Sequence, residues 1–189
     1  MRIMSLPVAL LALAACEKPA PTIPEGSSTA GNSESGMPKI ESSGTLDRSH
    51  AGTPMPGTPF LDPEGQTVAL DQIGDKPLLL NLWATWCAPC VVEMPTLDAL
   101  ARRDGHRIEV LAVSQDLEGK AKVDAFFAKE SFQALQPYVD KDAALSAELK
   151  VQSLPTTIYY GRDGKELWRI TGIEDWRGDK AAKLLAEAQ

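Results

Sequence analysis

Two cysteines with two residues between them, Cys87 and Cys90, stand where an apolar segment ends and a helical pattern begins. The preceding residues, 78–84, are apolar at almost every position, as in a strand that is covered on both faces of a sheet. A strand that leads through a Cys-x-x-Cys turn into a helix is the setting of a redox pair. The N–H groups at a helix N-terminus favour a thiolate on the first cysteine. The sequence therefore predicts a βα unit with a reactive thiol pair at its junction.

The same two cysteines could instead form half of a zinc site. Zinc needs about two further Cys or His ligands at suitable spacing. The remaining supply is Cys16, His50 and His106, which makes zinc the weaker alternative. We expect no metal, and no cofactor apart from the redox-active disulfide Cys87–Cys90.

The first residues have the pattern of an export signal. Arg2 supplies a positive charge, residues 6–15 form a short apolar stretch, and small residues precede Cys16. The stretch is shorter than the about 20 residues of a spanning helix. The tetrapeptide Leu13-Ala14-Ala15-Cys16 resembles a bacterial lipobox, which implies cleavage before Cys16 and acylation of its sulfur. Residues 1–15 are thus predicted to be a signal peptide and Cys16 a lipid anchor; the alternative is an ordinary signal peptide with a chance cysteine.

The next segment has the composition of a tether. Residues 16–56 are rich in Pro, Ser, Gly, Thr and Glu and nearly free of large apolar side chains, so they cannot bury enough surface to become ordered. Residues 57–189 suit a single domain with its own core. If Cys16 is acylated, the two remaining cysteines of the three would close too small a loop to act as a useful staple. A reactive role explains them better.

Net charge limits the class of partner. The chain carries a formal charge of −7, which argues against nucleic acid and against anionic lipid headgroups as targets. We expect the membrane to be contacted through the lipid on Cys16.

Along the domain, strand and helix patterns alternate and end in an antiparallel hairpin. Such an order indicates a mixed sheet with helices on both faces. The predicted elements are short strands on either side of the turn at 63–65, strands at 78–84 and 108–114, helices at about 88–103 and 119–129, a short strand at 137–139, a short helix at 143–149, a hairpin of strands 156–160 and 166–171, and a last helix at 175–188.

Four segments of this domain resemble the membrane-anchored bacterial thioredoxins of the TlpA/ResA type. They are residues 81–90, the tripeptide Glu93-Met94-Pro95, the tetrapeptide Leu154-Pro155-Thr156-Thr157, and the hairpin that precedes the first core strand. The resemblance covers roughly residues 55–189. It implies a thioredoxin fold, which is an α/β fold with a mixed central sheet and helices on both faces, here with an added N-terminal β-hairpin.

The resemblance also implies roles around the cysteine pair. Cys87 would attack the substrate disulfide, and Cys90, one turn further along the helix and more buried, would resolve the mixed disulfide. Ala88 and Pro89 would shape the turn between them and tune both thiolates. Trp86 is expected to be a partly exposed surface on which substrate docks.

Pro155 matches the cis-proline that faces the active-site cysteines in this fold. The backbone of Leu154 would then be free to pair with an extended substrate segment; the alternative is an ordinary trans proline that opens a strand. The other three tryptophans, Trp83, Trp168 and Trp176, are assigned to packing in the core.

Glu93 is the candidate acid–base group. It lies three residues beyond Cys90 on the same helical stripe, whereas Asn81 occupies the strand position where plain thioredoxin has a buried carboxylate. Burial would raise the pKa of Glu93 and let it exchange a proton with Cys90. The alternative is a solvated glutamate early in a helix.

These features together predict a lipid-anchored thiol–disulfide oxidoreductase that faces the periplasm. We expect a monomer that reduces exported protein substrates with disulfides and is recharged by a membrane dithiol electron donor. The resemblance suggests apocytochrome c or copper-delivery proteins as substrates, in cytochrome c biogenesis for example. One alternative is a dithiol oxidase that forms disulfides. Another is a copper-binding assembly factor, which would use a Cys-x-x-x-Cys pair and a distal histidine, but the spacing here is one residue shorter.

Overall fold

The computed structural model of the protein describes residues 39–188. Within that range the chain forms one sheet and several helices, which we number in chain order. The bounds are β1 (Thr45–Asp47), β2 (Phe60–Leu61), β3 (Thr67–Val68), β4 (Leu78–Trp83), α1 (Ala88–Asp104), β5 (Glu109–Ser114), α2 (Lys120–Glu130), β6 (Tyr138–Val139), α3 (Ala144–Glu148), β7 (Thr156–Tyr160), β8 (Glu166–Thr171) and α4 (Asp179–Leu185), with short 3-10 turns at Leu70–Gln72 and Ala186–Ala188.

The central strand of the sheet is β4. The strand order is β1-β8-β7-β4-β5-β6-β2-β3, with β4 parallel to β5 and antiparallel to β7. All six residues of β4 are buried. Successive side chains of a strand point to opposite faces, and Leu79 and Trp83 accordingly join one hydrophobic cluster while Leu80 and Leu82 join the other. The unbroken apolar run thus forms a strand covered on both sides, as predicted.

Helices cover both faces of the sheet. On one face, α1, α2 and α4 contribute Leu97, Val123 and Leu184 to the cluster that contains Trp83. On the other face, α3 contributes Leu145 to the second cluster. The mixed α/β architecture predicted from the sequence is confirmed.

The added N-terminal hairpin is present at the far edge of the sheet. Its strands β2 and β3 pair antiparallel through Phe60↔Val68 and Leu61↔Thr67. Leu61 also pairs with Val139 of β6, so the hairpin extends the sheet beyond β6. Phe60 anchors it, since this side chain is buried in the second cluster.

The folded domain begins earlier than the predicted boundary between residues 56 and 57. Strand β1 pairs antiparallel with β8, and Pro54 forms an isolated bridge with Lys165. The physical reason is that β8 would otherwise have an open edge with unpaired backbone N–H and C=O groups. Residues 45–54 pair with these groups through their own backbone, so they need no apolar pattern to join the sheet. Residues 16–38 of the predicted tether, with Cys16, and the signal peptide at residues 1–15 lie outside the described residues.

The last helix is shorter than predicted. A helix was expected from residue 175, but α4 begins at Asp179, and residues 172–178 form a loop after β8. No helix among the described residues is long and apolar enough to span a bilayer.

Candidate active site

The two cysteines lie at the junction of β4 and α1 and are joined by a disulfide with an S–S distance of 2.05 Å. Cys87 is the N-cap of α1, and its Sγ accepts a hydrogen bond from the backbone N–H of Cys90 at 3.3 Å. Cys87 is 6% exposed and Cys90 is 1% exposed. A partner can therefore reach Cys87 more readily than Cys90.

The helix N-terminus stabilises negative charge on Cys87. Unpaired N–H groups of the first turn and the helix dipole both favour the thiolate over the thiol. Pro89 stands in the first turn of α1, where its lack of an N–H costs nothing. Ala88 and Pro89 are exposed beside the sulfur, so the turn presents Cys87 on a surface of small side chains.

Glu93 is buried, not solvated. It lies on the inner face of α1, one turn beyond Cys90, and its residue exposure is 0%. One carboxyl oxygen, Oε1, accepts a hydrogen bond from the indole Nε1 of Trp176. The other, Oε2, has no hydrogen-bond partner among the described residues. Burial raises the pKa of Glu93 from 4.5 to about 8, and the Trp176 indole only partly opposes that rise.

Trp176 packs in the core as predicted, and it also makes a hydrogen bond that the sequence did not reveal. The side chain is fully buried and stacks near Trp168, but its indole N–H is the direct donor to the Glu93 carboxyl. Its backbone N–H also donates to Thr96 Oγ1 at 3.3 Å, and Thr96 Oγ1 donates to the Glu93 carbonyl at 2.8 Å. Trp176 is 83 positions away in the sequence, so no local pattern could have revealed the contact.

Trp83 and Trp168, by contrast, lie in the core as expected. Both are fully buried, and neither indole N–H has a hydrogen-bond partner among the described residues. Trp83 packs against Phe126 and Phe127 of α2.

The Leu154–Pro155 peptide bond is cis, as the sequence predicts. Thr156, the next residue, pairs with Leu82 across β7 and β4, so Pro155 lies at the end of the sheet where β4 runs into the cysteine turn. On β4 itself, Asn81 donates from Nδ2 to Thr157 Oγ1 at 2.9 Å. The strand position that carries a carboxylate in plain thioredoxin therefore holds a neutral amide in a hydrogen bond.

A groove of about 820 Å³ opens beside the cysteine turn. Trp86 and Leu154 form part of its wall, as expected for substrate-binding residues. Leu117, in the loop between β5 and α2, was not singled out from the sequence, although it lines the same groove and is 76% exposed. Together with the exposed indole of Trp86, Leu117 gives this groove an apolar patch of the kind that marks an interaction surface.

Asp116 holds the groove and the cysteine turn together. Its carboxylate accepts hydrogen bonds from the Thr85 N–H at 2.8 Å and from the Thr85 and Ser114 hydroxyls at 2.7 Å each. Thr85 directly precedes Trp86, so this buried carboxylate fixes the backbone that carries the exposed indole. Sequence inspection missed Asp116 because its partners come from two different strand ends.

No cluster of three or more His, Cys, Asp and Glu side chains suited to a metal occurs within residues 39–188. The group in this site that can change oxidation state is the Cys87–Cys90 disulfide itself.

Comparison with known proteins places these features in a family. Residues 50–185 match the Redoxin family. The thiol-disulfide oxidoreductase ResA of Bacillus cereus is 30% identical over 122 residues, which cover 64% of this chain and 69% of that protein.

Two solved structures share the architecture. The thio-disulfide isomerase of Thermus thermophilus has a TM-score of 0.59 and 28% identity, and the match covers 74% of this chain and 98% of that one. The exposed lipoprotein thioredoxin of Streptococcus pneumoniae has a TM-score of 0.57 and 24% identity over 68% of this chain and 96% of that one, and it supports the fold. The thioredoxin fold predicted from the sequence is confirmed.

Proposed function

The chain belongs to the redoxin family and is a thiol–disulfide oxidoreductase of the TlpA/ResA type, and we propose that it works as a reductant of selected exported proteins. The observation that carries this proposal is the buried carboxyl of Glu93, which lies one helical turn beyond Cys90 and has no cation beside it among the described residues. Such a group can take the proton that Cys90 must lose when the dithiol becomes a disulfide.

The reaction proceeds in two exchanges. In the reduced protein, the Cys87 thiolate attacks one sulfur of a substrate disulfide, and the first substrate thiolate leaves. Cys90 then attacks the Cys87 sulfur of the mixed disulfide, and the second substrate thiolate leaves. The substrate has gained two electrons, and the protein has lost two as the Cys87–Cys90 disulfide forms.

Glu93 accepts the proton that Cys90 loses in the second exchange. Cys90 reacts only as a thiolate, and a carboxyl whose pKa is about 8 is close to the ordinary cysteine value of about 8.5. A carboxyl with a raised pKa is therefore a better proton acceptor for Cys90 than an ordinary surface carboxylate. In the disulfide form at neutral pH, Glu93 is mostly protonated, as expected for a group that has just received this proton.

The substrate docks as an extended segment along the groove. The Leu154 backbone, which precedes the cis-proline, offers the polar groups of an added strand. Trp86 and Leu117 offer apolar contact on either side. Substrate choice then depends on apolar side chains near the reacting cysteine of the partner.

The proposed setting is the periplasmic face of a membrane. The lipobox-like sequence at Cys16 supports a lipid anchor, and ResA of Bacillus cereus supports the activity. We propose that a membrane dithiol donor recharges the Cys87–Cys90 pair and that the protein acts as a monomer. Apocytochrome c and copper-delivery proteins are the proposed substrates.

The reduction potential of the Cys87–Cys90 pair tests the direction. Equilibration of the full chain against defined thiol buffers is expected to give a value near or below that of thioredoxin, about −270 mV. A value near about −120 mV would make the protein an oxidant and overturn the proposal. In parallel, Cys90→Ser should accumulate mixed disulfides with true substrates, while Cys87→Ser should trap none.

A further inference from the structure

The loop between β8 and α4 connects two parts of the molecule. Its inner side carries Trp176, which donates to Glu93. Its outer side carries Glu174, a carboxylate that is only 1% exposed. Whatever fixes this loop therefore also fixes the hydrogen-bond donor of the proposed acid–base group.

The segment Ile40–Gly44, which we call the strap, lies along the outer side of this loop. The backbone N–H groups of Ser43 and Gly44 both donate to the Ile173 carbonyl, at 3.0 and 2.9 Å. Contact is close enough that a Cβ added to Gly44 would come within 2.4 Å of the Ile170 side chain. The backbone of the strap is thus fitted against the end of β8.

Ser42 gives the strap a specific polar contact. Its hydroxyl donates to Glu174 Oε1 at 2.7 Å and accepts from the Asp175 N–H at 3.1 Å. The second oxygen of Glu174 pairs with Lys180 of α4. The buried carboxylate thus joins the strap, the loop and α4 directly behind Trp176.

We propose that the strap is a positioning element for Glu93: through Ser42 and Glu174 it holds the loop so that the Trp176 indole stays on the Glu93 carboxyl. This inference rests on the proposed function, because it assumes that Glu93 exchanges protons with Cys90. Ser42 and Glu174 are positioning residues, since neither touches the reacting sulfurs.

The charged groups around Glu93 set the direction in which each substitution should shift its pKa. In the disulfide form, Cys87 and Cys90 carry no charge. Glu174 acts on Glu93 in two ways: a hydrogen bond from its backbone N–H lowers the pKa of Glu93, and the negative charge of its side chain raises it. Lys180 pairs with the Glu174 carboxylate, and the next residue along the loop, Asp175, pairs with Arg177. The strap itself carries one charged side chain, Glu41, which is exposed to solvent.

The test follows the carboxyl carbon of Glu93 by ¹³C NMR in the oxidised full chain, across the pH range around 8. Ser42→Ala removes a donor from Glu174 and loosens the Trp176 loop, so the Glu93 midpoint should move up by a few tenths of a pH unit. Glu174→Gln removes the negative charge but keeps the backbone N–H, so the midpoint should move down by a few tenths of a pH unit. Ser49→Ala, the same change at an exposed serine that contacts only Asp47, should leave it unchanged.

The outcomes separate the two proposals. If Glu93 titrates near 8 in all variants, the strap does not position it, and the inference is overturned while the proton role of Glu93 stands. If Glu93 of the unaltered protein titrates at its ordinary value, the proton role fails first. Far-ultraviolet circular dichroism of each variant confirms that it is folded, and shifts of the two predicted signs support the strap.

Discussion

Two carboxylates of this domain are equally hidden from water, yet their surroundings are opposite. Glu166 on β8 is 1% exposed, and the Arg169 guanidinium grips both of its oxygens at 2.7 Å. Glu93 on α1 is 0% exposed, its carboxyl accepts from the Trp176 indole, and no cation among residues 39–188 lowers its pKa. A buried carboxylate that is fully paired with a guanidinium forms a structural ion pair, whereas a buried carboxyl without a cation is suited to take up or release a proton. Glu166 thus holds structure, and Glu93 is suited to chemistry.

The largest expected effect comes from removing the cation beside Glu166, so that this carboxylate is buried without one, as Glu93 is. Arg169→Met keeps an unbranched apolar stem but leaves a buried carboxylate without its cation and the Leu149 carbonyl without its donor. The free energy of unfolding should fall by about 4 kcal/mol near neutral pH, as measured by urea unfolding. The double variant Arg169→Met with Glu166→Gln should recover much of the loss, because no buried charge is then left unpaired. If the single variant were as stable as the parent, the Glu166–Arg169 ion pair would not be what stabilises the buried carboxylate.

A smaller effect of opposite sign is expected for Glu93→Gln in the oxidised protein. The pKa of Glu93 rises on folding from 4.5 to about 8, so between these pH values the folded state holds more protons than the unfolded state. The loss of folding free energy caused by ionising the buried Glu93 is therefore absent below pH 4.5. It grows as the pH rises and is complete above about pH 8.

Replacement by glutamine removes this loss of folding free energy but buries an amide that is only partly hydrogen-bonded. Above pH 8 the variant should be more stable than the parent by roughly 2 kcal/mol, and the gap should close as the pH falls toward 4.5. Unfolding curves at a series of pH values measure this gap. A gap that does not change with pH would mean that Glu93 has an ordinary pKa.

The smallest effect concerns the hydrogen bond from the Trp176 indole to the Glu93 carboxyl. Trp176→Phe removes the indole donor and should raise the pKa of Glu93 further, at a stability cost of about 1 kcal/mol beyond that of packing. Trp168→Phe is the matched control, because its indole N–H has no partner among the described residues. The Glu93 titration should move in the first variant only. Equal behaviour of the two variants would show that Trp176 only packs.

Local sequence patterns predicted most of the strands and helices. The unbroken apolar run at residues 78–84 marked the central strand, and the turn at Gly161–Gly164 marked the β7–β8 hairpin, because both signals lie within a few residues. Strand β1 was missed because Thr45–Asp47 has no apolar alternation and depends on the open edge of β8. Its stabilisation comes from a partner that is distant in sequence.

The active site divides in the same way. The positions of Cys87, Cys90 and Glu93 on one helix follow from spacing, and the cis bond before Pro155 follows from the resemblance. The donor to Glu93 could not be predicted, since Trp176 is 83 positions away in the sequence and meets Glu93 only in the folded domain. The exposed Leu117 was missed for a similar reason, because a single apolar residue in a loop gives no pattern.

The most direct test of the proton role is the rate at which Cys90 resolves a mixed disulfide. Reduced protein is mixed with an aromatic disulfide reagent, and the second release of the aromatic thiol reports the attack of Cys90 on Cys87. Near pH 8, where a large share of Glu93 is ionised and can accept a proton, Glu93→Gln should slow this second release by about 100-fold and leave the first release unchanged. Equal second-release rates in the parent and the variant at every pH would contradict the claim that Glu93 takes the proton of Cys90.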